Sequence, residues 1–221
     1  MDLPAALLSA DVQGVVFALA ALGLLALARK LPWRELAGGV HLNLLLGFAV
    51  CLTLIWSMRA GVKPGLNLHL LGAMAATLAL GPWKAIAALA LALCGITLNG
   101  ALEWGDWPAN FVLMVLVPVA VASGLHRLIE RLLPAHFFIF IFVTGFAGSA
   151  LTAIAQGLTA SSVLALSGAY SADFLWSDYL PFFLLLGFSE GWISGAIITL
   201  MVVYRPEWVS AFDDRRYLLD K

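Results

Sequence analysis

Val12-Gln13-Gly14-Val15-Val16-Phe17-Ala18-Leu19-Ala20-Ala21-Leu22-Gly23-Leu24-Leu25-Ala26-Leu27-Ala28, followed at once by Arg29-Lys30, is the stretch that decides the fold. It carries no charge, and as a helix rising about 1.5 Å per residue it crosses most of a hydrocarbon layer ~30 Å thick, with the two cations marking its end. Six more apolar windows follow: Leu42 to Met58, Leu66 to Leu80, Ala85 to Leu102, Phe111 to Leu125, Phe137 to Gly157 and Leu180 to Tyr204. None alternates with the period of a barrel strand, so all read as helices. The expected fold is all-α, a polytopic membrane helical bundle of about seven transmembrane helices in a single integral membrane domain over residues 1–221. Leu66 to Leu80 is among the shortest windows; it meets the next at Gly81-Pro82-Trp83-Lys84, a helix break that predicts a tight turn at one membrane face.

Composition points the same way. Of 221 residues, 62% are hydrophobic and 11% charged, with a mean hydropathy of +0.98, far from the roughly 45–50% apolar and 25% charged of soluble domains. Most of the surface must face lipid, where backbone N–H and C=O groups have to be paired internally. The net charge of −1 and the scattering of cations among loops exclude a nucleic-acid surface. Cys51 and Cys94 sit inside apolar windows and read as small hydrophobes. The segment Met1 to Asp11 lacks a cationic leader region and contains Asp2 and Asp11, so it reads as an extracytoplasmic N-terminal segment and not a cleaved signal. Arg205 to Lys221 reads as a short cytoplasmic tail on the membrane surface.

Orientation follows from the cations, which cytoplasmic loops retain. One side of the seven-span arrangement holds Arg29, Lys30, Arg34, Lys84, Arg127, Arg131, Arg205, Arg215, Arg216 and Lys221, and the other holds Arg59 and Lys63. Ten against two accounts for all 12 basic residues and predicts N-out, C-in. A long connector, Leu158 to Tyr179, then lies outside, where its Tyr170, Trp176 and Tyr179 suit either an interfacial cap or an ordinary aromatic belt.

Polar groups within lipid are costly and mark the places to look for function. Glu190 is the one acidic residue placed inside a span; it reads either as a helix lock or as a ligand or coupling group. Gly187, Gly191, Ser194 and Gly195 put a small-residue face around it, open to another helix of this chain or of a partner, and the face near Gly191 and Gly195 is the expected partner-docking surface. Asn99 and Asn110 flank an acidic outer loop, where they either tie helix ends or support a bound substrate. His41, His126 and His136 fall near cytoplasmic span ends, whereas His69 opens the third span on the outer side. The N-terminal amine of Met1, the Asp2 carboxylate and the His69 imidazole, if folded together, make a site for a divalent transition metal. Enzymatic chemistry finds no support: Trp192-Ile193-Ser194-Gly195 lacks the leading Gly of an intramembrane serine protease, and zinc-protease, P-loop and haem motifs are absent.

Leu68-His69-Leu70-Leu71-Gly72-Ala73, followed by Leu80-Gly81-Pro82-Trp83-Lys84-Ala85, resembles the CbiM/NikM family, the substrate-capture or permease subunits of energy-coupling factor transporters for cobalt and nickel. The likeness continues at Ala109-Asn110, at Tyr179-Leu180-Pro181, at Glu190-Gly191 and at Tyr204-Arg205-Pro206-Glu207. It implies a seven-helix metal-capture protein whose N-terminus tucks into the bundle. It also implies an ion held by the N-terminal amine, by residue 2 with its backbone nitrogen, and by the His before the Gly-Pro-Trp helix. Carried over, these roles fall on Met1, Asp2 and His69. Residue 2 departs from the pattern, being Asp where the family reads Met-His-Ile-Pro, and a carboxylate in place of an imidazole shifts preference toward harder ions.

The function expected is therefore a non-enzymatic, substrate-binding component for uptake of a divalent transition-metal cation, nickel or cobalt, in the bacterial cytoplasmic (inner) membrane. It would act in the lipid bilayer with an energy-coupling transmembrane subunit and ATPases, because the chain has no nucleotide site of its own. Asn99, Asn110 and Glu190 are the expected supporting or helix-coupling residues. The alternative is a membrane partner or assembly protein that kept the fold and lost the metal site.

Overall fold

The computed structural model of the protein describes residues 3–36, 39–61, 63 and 66–219. It is a helical bundle. Among the described residues, five helices are long and apolar enough to cross a membrane: α1 (Ala10–Lys30), α2 (Val40–Ser57), α5 (Trp104–Leu132), α6 (Ile139–Leu166) and α7 (Ala172–Tyr204). Between α2 and α5 lie a short helix, α3 (Ala73–Leu80), and the apolar α4 (Pro82–Leu98). Outward-facing Leu22, Leu54 and Leu185 are 62%, 64% and 68% exposed, an apolar periphery that water would not tolerate and lipid does.

The third expected span differs most from a plain helix. Its first half is extended: Asn67–Leu68 (β2) pairs antiparallel with Ala60–Gly61 (β1), with Ala60 opposite Leu68 and Gly61 opposite Asn67. Only Ala73–Leu80 is helical, eight residues or about 12 Å, and each of the eight is buried. Gly81, at φ 78°, ends the helix, and Pro82 occupies the first turn of α4, where its missing N–H costs nothing. Gly95 of α4 abuts Thr53 of α2, so both helices finish at the same end of the bundle.

Three other sequence expectations change. The expected connector Leu158 to Tyr179 shrinks to Ser167–Ser171, because α6 continues to Leu166 and α7 starts at Ala172. The helix satisfies hydroxyls along this stretch: Thr159 donates to the Ala155 carbonyl and Ser162 to the Leu158 carbonyl, each four residues back. Gly168, at φ 68°, ends α6. The window Phe111 to Leu125 grows at both ends into α5, and Phe111–Leu116 widens to a π-helical turn just ahead of Pro118. A proline ring clashes with the carbonyl four residues back, and a π turn relieves that clash without breaking the helix.

The small-residue face of α7 is the third. Gly187 and Gly191 each lie where an added Cβ would come within 3.1 Å of a backbone carbonyl oxygen of α6, of Ala150 and Phe146 respectively; Gly195 faces the Phe146 ring. This surface is buried against the chain's own α6, so it does not serve as the partner-docking face expected from its composition. Close approach of the two backbones is what the glycines provide.

The segment after α7 turns back under the bundle instead of lying loose. Ser210 and Ala211 donate backbone N–H groups to the carbonyls of Ala79 and Leu78, each at 3.0 Å. Phe212 stacks on Tyr217 with ring centroids 5.1 Å apart, both rings pack on Phe140, and Arg216 pairs with Glu130 of α5.

Packing at glycine gives a prediction of opposite signs. A Cβ at Gly157 would lie 2.3 Å from the buried Phe183 ring, whereas at Gly14 nothing lies within 4 Å. Gly157→Ala should lower stability by about 1–3 kcal/mol, and Gly14→Ala should be neutral or raise it by up to about 1 kcal/mol, as read from thermal unfolding in detergent.

Candidate metal-capture site

His69 follows β2 and precedes the turn into α3, so the ribbon fixes where its backbone enters the bundle. The ring is buried, and Nδ1 lies 2.9 Å from the Leu70 carbonyl oxygen. A carbonyl can only accept, so Nδ1 carries the hydrogen, and a neutral ring of that tautomer would offer its lone pair from Nε2. Metal-binding histidines are held in this way, one nitrogen donating to a carbonyl while the other faces the ion. Trp56, fully buried at the end of α2, tilts over the imidazole with ring centroids 5.4 Å apart, and its indole N–H donates to the Leu71 carbonyl at 3.2 Å. Nothing in the spacing of the sequence singled out Trp56; only the fold brings it to His69.

Glu190 acts on the same segment from α7. Its carboxylate accepts the N–H of Leu71 at 2.7 Å and of Gly72 at 2.6 Å, and the Ser194 hydroxyl at 2.9 Å. These N–H groups head α3, where a helix has no internal acceptors and the dipole favours negative charge. Gly72 suits this turn, where a side chain would be strained and the Leu52 side chain would have to shift. It sits at φ 68°, and a Cβ there would lie 2.5 Å from Leu52.

The N-terminal segment does fold back onto the bundle. Leu3 is 1% exposed. Asn110 grips it at both polar groups: Oδ1 accepts the Leu3 N–H at 2.8 Å, and Nδ2 donates to the Leu3 carbonyl at 2.9 Å and to the Asp106 carbonyl at 2.9 Å. The carboxylate of Asp106 accepts the Ala5 N–H at 2.6 Å, and the Gln13 amide donates to the carbonyls of Ala5 and Leu8 at 2.7 and 3.0 Å. An amide side chain offers the donor and acceptor pair that a peptide edge needs, which is why a fully buried Asn suits this position. Leu3 and Trp56 belong to one buried apolar cluster. Asn99, by contrast, is an exposed cap at the end of α4.

Met1 and Asp2, the other two expected ligands, lie outside the described residues. Among the described residues no three His, Cys, Asp or Glu side chains gather as a metal-binding group. An apolar cavity of about 620 Å³ between α2 and α7, lined by Phe48, Cys51, Leu52, Ile197 and Met201, reaches Gly72 and Glu190. Its one carboxylate is already engaged by three hydrogen bonds, and an ion stripped of water there would meet hydrocarbon. The cavity is therefore not where a cation rests.

Replacing Asn110 by Ala would leave both polar groups of the buried Leu3 peptide without their partner. A loss of about 2–4 kcal/mol is expected, with faster amide exchange over Leu3 to Leu8 while α4 stays protected.

The comparisons with known proteins bear on the family and the fold. The family model for CbiM, the cobalt uptake substrate-specific transmembrane region, matches residues 2–208. No curated protein matches. Two crystal structures share the fold. A transition metal transporter superposes with a TM-score of 0.75 at 21% identity, covering 91% of this chain and 92% of its own. A truncated transition metal transporter does so with a TM-score of 0.74, also at 21% identity, covering 92% and 99%. With a family model matched over nearly its whole length, this chain belongs to the CbiM family, a group of membrane components for metal uptake.

Proposed function

We propose that this protein is the ion-capturing membrane component for uptake of a divalent transition metal, nickel or cobalt, and that the ion is bound by Met1, Asp2 and His69. The observation that carries the reading is the double grip of Asn110 on Leu3, which docks the chain immediately after residue 2 inside a bundle that also presents a buried His69. Asn110 and Glu190 support the site, the first by holding the N-terminal segment and the second by capping the helix behind His69. Nitrogen donors from imidazole and backbone suit nickel and cobalt, and the Asp2 carboxylate tunes the preference.

The bundle crosses the cytoplasmic (inner) membrane seven times, N-out and C-in, with the His69 end outside. The sequence count, with ten of 12 cations in the loops assigned to the inner side, supports that orientation. The shared end of α2 and α4 supports a crossing by residues 66–80. Release inward is driven by an energy-coupling transmembrane subunit with ATPases.

The test is ion binding by detergent-purified protein beginning at Met1 with no tag before it, titrated with nickel and cobalt ions. One ion per chain is expected, and His69→Ala should weaken affinity by at least about a hundredfold with unchanged thermal stability in the absence of metal. Equal affinity in that variant would remove His69 from the site. Absence of binding by the unmodified protein would favour a bundle that kept the fold and lost its ion, the reading to which Asp2 gives most weight.

A further inference from the structure

The two ends of α3 are held by one helix and its extension. At the end next to His69, Glu190 of α7 accepts the N–H groups of Leu71 and Gly72. At the far end the chain beyond α7 supplies Ser210 and Ala211, whose N–H groups reach the carbonyls of Ala79 and Leu78 at 3.0 Å; the Ser210 hydroxyl adds a contact to Leu78 at 3.3 Å. Every residue of α3 is buried, so no water can replace these partners, and a helix end without them is costly.

We infer that Ser210 and Ala211 are positioning residues for the capture site: seated on the α3 carbonyls, the tail holds α3, and through it His69, in the ion-binding arrangement. The inference rests on the capture reading above and extends it with a control point at the opposite end of the bundle. α3 is two turns long, tightly packed and bonded at both termini, so it transmits displacement as a strut and not as a spring. Only Leu70 separates His69 from Leu71, the first of the two residues whose N–H groups Glu190 fixes. The tail is itself latched to other helices, by Arg216 to Glu130 of α5 and by Phe212 and Tyr217 to Phe140 of α6. Anything that lifts the tail frees the lower end of α3 and loosens the histidine above it. A partner that grips this segment could thus promote ion release without touching the ion.

Two measurements test it on the full chain. Ser210→Pro removes the N–H that bonds Ala79, whereas Ser210→Ala keeps it and loses only the hydroxyl. With nickel or cobalt as the titrant, Ser210→Pro should weaken affinity about tenfold, the effect of one lost buried hydrogen bond, and Ser210→Ala should stay near the unmodified value. The second needs no variant. Because coupling is reciprocal, ion binding to the unmodified protein should slow amide exchange at Ser210 and Ala211 by a similar factor. Exchange at these two amides that ignores the ion would overturn the inference even if Ser210→Pro failed to fold. Binding that depends on His69 but is unaffected by Ser210→Pro would overturn it while leaving the capture reading intact. Lack of binding by the unmodified protein would sink both.

Discussion

Inside a membrane, a backbone N–H or C=O that finds no partner costs several kcal/mol, and most helices avoid this by running the full thickness of the bilayer. α3 cannot: it is eight residues long and buried throughout, so both its ends lie within the protein. The carboxylate of Glu190 at one end and the backbone of Ser210 and Ala211 at the other are what make this short helix possible. The rest of the structure is arranged to deliver them. α7 lies close enough for Glu190 to reach because Gly187 and Gly191 let it approach the α6 backbone, and the tail is turned under the bundle by Arg216, Phe212 and Tyr217.

A short helix has a use that a long one lacks. By stopping at Gly72 it leaves residues 66–71 extended within the bundle, and His69 lies on that irregular stretch. Non-helical backbone at membrane depth is tolerated where protein covers it; here Trp56 covers the imidazole and bonds the Leu71 carbonyl. Asn110 solves the same problem for the N-terminal segment, satisfying the buried Leu3 peptide with an amide side chain. The two halves of the candidate site are thus built by one device, a buried polar side chain standing in for a missing peptide partner.

Several of these arrangements have sequence signals that are ambiguous when read alone. A buried Glu in an apolar run announces that it needs partners, yet its spacing does not say whether they are an ion, another acid or the head of a helix. The stripe Gly187, Gly191, Gly195 announces close packing without naming the neighbour, which proves to be α6 and no second protein. Leu158 to Leu166 reads as part of a connector, yet it continues α6, with the Thr159 and Ser162 hydroxyls returning to carbonyls one turn back.

The apolar windows, the cations at their ends and the Gly-Pro break after Leu80 by themselves determined a helical membrane bundle and the place of the turn into α4, and the lone acid of the last window marked Glu190 as a buried group in need of partners. These are local properties: a run of apolar side chains, a proline or a buried charge has the same consequence whatever surrounds it. The tertiary structure alone decided that the third segment is half extended, that Trp56 packs on His69, that Asn110 grips Leu3 and that residues near 210 finish a helix ending at Leu80. Each of those contacts joins residues whose approach depends on how the helices pack against one another, and hydrophobic periodicity along the chain carries no information about distances across it.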